Sequence, residues 1–146
     1  MKKYLLPLVV AVMMVAGCKL DDAGFPKPGE NLILGKWYNK SSTTYTPPQN
    51  GNTVIVNIND NYTSSDYISF GSNTVTFSMT GLGNSTFKYA LSGSTLTLTS
   101  NDTPPEIETQ TVSKLTTDSL VLVSNGTIDA GGTITTFTVT DRYARK

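Results

Sequence analysis

The feature of the sequence that most constrains its fold is an alternation of apolar and polar residues that recurs over short runs. Apolar side chains occupy every second position within each run, and threonine or serine fills most of the positions between them. Because successive side chains of a strand point to opposite faces, each run predicts a half-buried β-strand. These runs lie at residues 54–58, 75–79, 87–91, 96–98, 120–123 and 137–143.

Turn-forming residues separate the runs, and no segment after residue 17 shows a helical period. Adding three less regular segments gives about eight or nine short strands, a spacing that favours an antiparallel up-and-down meander. Such a sheet protects its edges by closing into a barrel, and a two-sheet β-sandwich is the alternative fold. The turn signals are 59–61, 71–73, 92–94, 116–118 and 131–132, and the added segments are 33–38, 66–70 and 107–115.

The first 18 residues have the layout of an export signal. Lys2 and Lys3 precede an apolar stretch at 4–16, and Cys18, the only cysteine, follows Gly17. Thirteen helical residues reach roughly 20 Å, which is short of the ~30 Å hydrocarbon core of a bilayer, so a cleaved signal is favoured over a membrane span. A single cysteine cannot form a disulfide within the chain.

Val15-Ala16-Gly17-Cys18 resembles the lipobox of bacterial lipoproteins. The resemblance implies cleavage before Cys18, a diacylglyceryl group on its thiol, and acylation of the new amine by a fatty acid such as palmitate. Several acyl chains would hold the protein firmly on a membrane. A secretory signal with a chance cysteine is the alternative.

The next residues, Lys19-Leu20-Asp21-Asp22, resemble the surface-export signal of Bacteroidetes lipoproteins, and a solvated acidic linker is the other interpretation. We therefore expect a location in the cell envelope, at the outer membrane, on its periplasmic or surface face.

The expected organisation is a signal peptide at 1–17, a lipidated cysteine and flexible tether at 18–31, and one β-barrel domain at 32–146. Removing residues 1–17 leaves 129 residues with nine basic and 11 acidic side chains. This balance lacks the basic surface that nucleic-acid binding needs, so that function is excluded. Thr, Ser and Asn make up 48 of the 129 residues, which favours strands and turns exposed to water.

Five short motifs follow one another in the segment 32–146. They are Ile33-Leu34-Gly35-Lys36-Trp37, Asp60-Asn61-Tyr62, Tyr89-Ala90-Leu91, Leu96-Thr97-Leu98 and Leu115-Thr116-Thr117-Asp118-Ser119-Leu120. This ordered set resembles the lipocalin-like domains of Bacteroidetes lipoproteins. The resemblance implies a barrel whose closed end is plugged by Trp37, with Gly35 opening the first strand and a terminal-strand arginine over the indole. Arg145 fits the family's ending better than Arg142, which stays an alternative.

The sequence has few residues in patterns that catalysis uses, and we expect no enzymatic activity, cofactor or metal. The chain has no histidine, the commonest general base and transition-metal ligand. Glu106 and Glu108 resemble a carboxylate pair for glycoside chemistry, but an exposed strand edge explains them better. The oxygen-bearing side chains at 57–61 lack the distal glutamate of a calcium loop and favour a hairpin turn. Asp118-Ser119-Leu120 resembles a Bacteroidetes O-glycosylation acceptor, although a hairpin needs the same residues.

Two functions remain. The first is a binding barrel that holds a small apolar or amphipathic molecule; a cavity of ~300 Å³ or more would support it. The second is a filled barrel that acts as a structural or interaction module with an unidentified protein partner, through its Thr- and Asn-rich loops at 41–52 and 125–133. The aromatic residues that line the cup in the first case and fill the core in the second are Tyr45, Tyr62, Tyr67, Phe70, Phe77, Phe87 and Tyr89.

Overall fold

The computed structural model describes residues 30–48, 55–129 and 134–146. The predicted signal peptide, the lipidated Cys18 and most of the tether lie outside the described residues. The described part holds one short helix and nine strands. Their bounds are α1 Glu30–Ile33, β1 Gly35–Thr46, β2 Ile55–Asn59, β3 Tyr67–Phe70, β4 Thr74–Met79, β5 Gly83–Ser92, β6 Thr95–Thr99, β7 Ile107–Leu115, β8 Ser119–Asp129 and β9 Ile134–Ala144.

The sheet closes on itself as an antiparallel barrel. Strands β3 to β9 pair in chain order, and β1 pairs with β3 on one side and β9 on the other. The predicted all-β meander and its closure into a lipocalin-like barrel are therefore confirmed. The sandwich alternative is wrong, because the first and last strands are joined by a ladder that runs from Tyr38↔Ala144 to Tyr45↔Thr138, with one register shift between Asn39 and Ser41.

Strand β2 is the extra, ninth strand. It pairs with the second half of β1, at 42–46, while β3 pairs with the first half, at 35–38. The two strands thus lie end to end along one edge of β1. Val56 and Ile58 point outward from β2 and are 50% and 69% exposed, and Asn57 and Asn59 lie on the opposite face.

Two segments predicted as loops are strands over much of their length. Residues 41–46 belong to β1, and residues 125–129 belong to β8. The alternation is hidden there because threonine, serine and asparagine occupy both faces, so no apolar period marks the strand. Pairing with β9 supplies the backbone hydrogen bonds in both segments. The remaining residues of the two predicted loops include 49–52 and 130–133, which lie outside the described residues.

The chain enters the barrel through α1, which replaces the start of the predicted strand at 33–38. Gly35 then has a φ of +103°, a conformation that side-chain-bearing residues rarely adopt. A Cβ added at Gly35 would meet no atom within 4 Å. The backbone angle that turns α1 into β1, and not a lack of space, therefore requires glycine.

The hydrophobic core fills the end of the barrel next to α1. Strands β1, β3, β4, β6, β8 and β9 each contribute inward side chains at this end. The turns at 71–73, 93–94 and 116–118 also lie here, so we call it the base. The buried apolar residues are Ile33, Trp37, Ile68, Phe70, Val75, Leu96, Leu98, Leu120, Leu122 and Tyr143.

Trp37 closes the base. Its side chain is fully buried, and its indole N–H donates to the carbonyl oxygen of Ile33 at 2.7 Å. The Arg145 guanidinium carbon lies 4.3 Å from the indole centroid, and Nη2 donates to the carbonyls of Leu34, at 2.7 Å, and Leu32. Arg145 is thus the terminal-strand arginine over the tryptophan. Arg142, the alternative, instead donates to Thr43 Oγ1 on the outer face, because the strand alternation turns it away from the interior.

Asp66 ties the segment between β2 and β3 to the turn after β4. Its side chain accepts hydrogen bonds from the backbone N–H groups of Thr80 and Thr63, both at 2.7 Å, and from both hydroxyls. The residue is only 5% exposed. These bonds, led by the one from the Thr80 backbone, lower the pKa of Asp66 to about 2 because they favour the charged carboxylate.

We predict that Trp37→Ala lowers the free energy of unfolding by ~3–5 kcal/mol, the usual cost of truncating a buried large aromatic residue. The matched control is Tyr45→Ala, since Tyr45 is 43% exposed and should cost far less. Chemical denaturation of the three proteins measures the difference. Equal midpoints for Trp37→Ala and the parent would contradict the role of Trp37 at the base.

We predict that Asp66→Asn flattens the acid limb of the stability curve. The folded-state pKa of Asp66 lies below the ordinary aspartate value of 3.8, so its contribution to stability is present above about pH 4 and is lost as pH falls toward 2. Unfolding temperatures measured from pH 6 to pH 2 should fall less steeply for the variant than for the parent. Asp102→Asn, at an exposed carboxylate, should leave the parent slope unchanged; the same slope for all three proteins would refute the assignment.

Candidate ligand cup

Above the packed base the barrel opens into a cavity of about 280 Å³, which we call the cup. Its walls come from β1, β3, β4, β7 and β9, with one residue from the segment between β2 and β3. The lining combines aromatic, aliphatic and polar side chains. It consists of Asn39, Ser42, Tyr62, Tyr67, Ile68, Phe77, Ser78, Met79, Gln110, Val139, Asp141 and Tyr143.

Two amide side chains in the cup have buried oxygen atoms that find no hydrogen-bond partner among the described residues. They are Oδ1 of Asn39, on β1, and Oε1 of Gln110, on β7. The amide nitrogen of Gln110 donates to the Glu108 carboxylate at 2.9 Å. A buried acceptor that lacks a donor costs about 1–3 kcal/mol, so these two atoms are unusual for a folded protein.

Among the described residues that line the cup, Asp141 is the only one with a carboxylate. It projects from β9, and the strand register places it between Leu122 and Ser42. Burial raises its pKa above 3.8, because desolvation disfavours the charged form, and the nearby charge of Glu108 raises it further. A hydrogen bond with Ser42 lowers the pKa of Asp141, but its effect is smaller than that of burial.

Tyr143 marks the boundary between the cup and the core. It is 6% exposed, and burial strongly raises the pKa of its phenol. Smaller contributions from the charges of Asp141 and Tyr62 raise it in the same direction. Tyr143 therefore stays protonated at neutral pH.

Six of the seven aromatic residues predicted to line a cup or fill a core divide between these two roles. Tyr62, Tyr67 and Phe77 line the cup. Phe70 is buried in the core, where it meets Tyr89 edge to face at 5.1 Å between centroids, and Phe87 packs edge to face on Phe77 at 5.6 Å. Tyr89 also donates through its hydroxyl to the Gly71 carbonyl at 2.8 Å, which fastens it to the turn at the base.

Tyr45, the remaining predicted residue, lies in a separate, open hollow of about 400 Å³ near the rim. The hollow is bounded by the ends of β1, β8 and β9. The Phe137 ring covers Gly126 there, and a Cβ on Gly126 would lie 2.3 Å from it. The rim therefore requires glycine at that position so that the aromatic ring can lie against the neighbouring strand.

The polar residues of the cup were not predicted from the sequence. Asn39, Gln110 and Asp141 were not among the predicted site residues. The signal that identifies Asp141 is its place two residues after the inward Val139 and two before the inward Tyr143, within a strand of period two. The signal for Gln110 is its position two residues before Val112 on β7, an inward apolar residue.

The other chemical motifs take structural roles. Glu108 lies in β7, whereas Glu106 precedes β7 and donates its backbone N–H to Ser100 Oγ at 2.9 Å, so the two carboxylates do not share a strand. Asn59 Oδ1 accepts from the N–H of Asn61 within a turn. The Thr116 hydroxyl donates to the Asp118 carboxylate and accepts from the backbone N–H of Ser119, and these bonds stabilise the turn of the β7–β8 hairpin. The glycosylation resemblance of Asp118-Ser119-Leu120 stays a prediction.

The described residues form neither a cluster of metal ligands nor a membrane-spanning helix. No group of three or more His, Cys, Asp or Glu side chains comes together there in a way that could hold a metal ion. No helix in this part of the chain is long and apolar enough to cross a membrane.

Comparison with known proteins identifies the family. The model of the lipocalin-like domain matches residues 33–122, which is more than half of the chain and runs from the end of α1 into β8. Searches of curated proteins and of solved structures returned no match. The match covers the Gly35-x-Trp37 start, the strands of the cup wall up to β7 and the hairpin at 115–120. The chain belongs to the family of lipocalin-like domains.

Proposed function

We propose that this protein is a lipid-anchored lipocalin-like protein of the cell envelope that binds a small amphipathic molecule in its cup. The observation that carries the proposal is the cavity of about 280 Å³ above a base that Trp37 closes. A barrel that served only as a packed scaffold would extend its apolar core to the rim.

The size and lining of the cup fit a small ligand. Its volume of about 280 Å³ lies just below the ~300–1,000 Å³ range of ligand pockets, so only a small ligand fits. Ile68, Phe77 and Val139 offer apolar surface, and polar side chains face them. This mixture favours an amphipathic ligand over a purely apolar one, because an apolar ligand would leave the polar atoms desolvated.

The anchor supplies the location. Acylation of Cys18 would hold the chain on the outer membrane, on its periplasmic or surface face, as the lipobox and the Lys19-Leu20-Asp21-Asp22 segment imply. The described chain begins at α1, which lies at the base of the barrel. A tether attached there favours an orientation in which the cup opens away from the membrane.

A second candidate is a non-catalytic module that binds a protein partner at the cell surface. The specific observation in its favour is the outer face of β2, where Val56 and Ile58 are exposed. Within the described residues, no strand pairs with the edge of β2 opposite β1. This role would not use the cup, so the two candidates are separated by whether a small molecule occupies the barrel.

We predict that the purified full-length chain, incubated with lipid and metabolite extracts of a bacterial cell, carries a stoichiometric adduct in native mass spectrometry. Val139→Trp should abolish the adduct, because an indole projecting from β9 would occupy much of the cup. Thr140→Trp is the matched control, since Thr140 faces outward between Thr43 and Val123. Unfolding temperatures of both variants verify that they fold.

Persistence of the same adduct on Val139→Trp would place the ligand outside the cup. A bare mass for the parent under every condition would contradict ligand binding and favour the interaction module.

We predict that Cys18→Ser moves the protein from the membrane pellet to the soluble fraction and abolishes incorporation of labelled palmitate. The physical reason is that a hydroxyl is too weak a nucleophile to accept the diacylglyceryl group that the thiol takes. Lys19→Gln, at the adjacent residue, should remain in the pellet. A Cys18→Ser protein that still sediments with membranes and still carries label would refute the anchor.

A further inference from the structure

The unpartnered polar atoms of the cup are hydrogen-bond acceptors. Gln110 shows this most clearly, since its amide nitrogen donates to Glu108 Oε1 and a carboxylate can only accept. That bond fixes the orientation of the amide and leaves Oε1 as the atom without a partner. Asn39 Oδ1 is a second buried acceptor without a donor. A molecule that satisfies both atoms must bring N–H or O–H groups.

The charge of the cup has one sign. Asp141 lines it, Glu108 lies close enough to interact with Asp141 electrostatically, and no lysine or arginine is among the lining residues. Ser42 gives Asp141 a hydrogen bond but no positive charge. The described part of the chain therefore leaves this half-buried carboxylate without a cationic partner in the cup.

We propose that the cup selects an organic ammonium ion, a compact molecule whose protonated amine lies among Asn39 Oδ1, Gln110 Oε1 and the Asp141 carboxylate. This inference rests on the proposed function, since it names the class of ligand that the cup takes. Three acceptors from β1, β7 and β9 match the three N–H donors of a primary ammonium group.

The remaining walls suit the carbon portion of such a molecule. Ile68, Phe77 and Val139 offer apolar contact, and Tyr62 also lines the cavity. An aromatic face attracts a cation, so Tyr62 would add to the attraction of the carboxylate, whereas the Tyr67 ring already has Lys36 Nζ 3.4 Å from its centroid. A cavity of about 280 Å³ limits the ligand to a single ring or a short chain.

Other ligand classes fit these atoms less well. A fatty acid or another anion would bring its carboxylate toward Asp141 and Glu108, and like charges in a partly buried site repel strongly. A neutral hydrocarbon would exclude water from the two amide oxygens and give them no donor. A neutral alcohol avoids both costs, but it brings a single O–H donor and no charge for Asp141, so a cationic donor fits these atoms best.

Three water-soluble probes with the same phenethyl skeleton test the charge preference: phenethylammonium, 2-phenylethanol and phenylacetate. Isothermal titration of the purified full-length chain should show phenethylammonium binding at least about tenfold more tightly than the alcohol, with no binding of the carboxylate, as expected for a charge-assisted hydrogen bond. Asp141→Asn should reduce the preference for the cation to less than about threefold. Asp102→Asn, with the same change in net charge at an exposed turn, should keep the parent values.

The probe series on the parent protein needs no variant, so a failure of Asp141→Asn to fold does not remove the test. Equal affinities for the three probes, or tighter binding of phenylacetate, would overturn the ammonium preference and leave ligand binding in the cup intact. A preference for the cation that Asp141→Asn retains in full would also overturn the assignment. If no probe binds and native mass spectrometry finds a bare protein, the proposed function fails together with the ammonium preference.

Discussion

The hydrogen bond from the Trp37 indole to the Ile33 carbonyl is the interaction on which the rest of the structure depends. It joins the short helix that enters the barrel to the first strand, and it allows a large aromatic side chain to be buried with its polar atom satisfied. Arg145 lies over the indole ring and donates to two more carbonyls of the entering segment. The first and last segments of the barrel are thus fastened to one residue.

Closure at the base determines what the rest of the interior can be. On two walls, the inward positions change from apolar to polar with distance from Trp37. Along β7 Val112 is followed by Gln110, while along β9 the polar Asp141 lies between the inward Tyr143 and Val139. On β1 the next inward residue after Trp37 is Asn39. The apolar base provides the stability of the fold, so the cup can hold polar atoms that do not contribute to stability.

The sequence predicted the apolar half of this barrel well and the polar half poorly. Trp37 and the strands around Val75, Leu96 and Leu120 could be recognised because each alternates apolar with polar residues. The upper part of β1 and the end of β8 could not, since threonine and asparagine on both faces remove the contrast that reveals period two. The outward direction of Val56 and Ile58 was also hidden, because alternation identifies two faces without saying which one is inside.

The same limit explains why the candidate site was only partly predicted. Aromatic residues such as Tyr62 and Phe77 stand out in the sequence, whereas Asn39 and Gln110 look like solvent-facing polar residues until the register turns them inward.

Their unpartnered oxygens make the folded protein less stable than it would be with apolar side chains at these positions. A bound molecule that supplies the missing donors would remove that cost and stabilise the native state in proportion to its affinity and concentration. Stability and ligand recognition are therefore linked through the same two atoms, while the Trp37 base keeps the barrel folded when the cup holds no ligand.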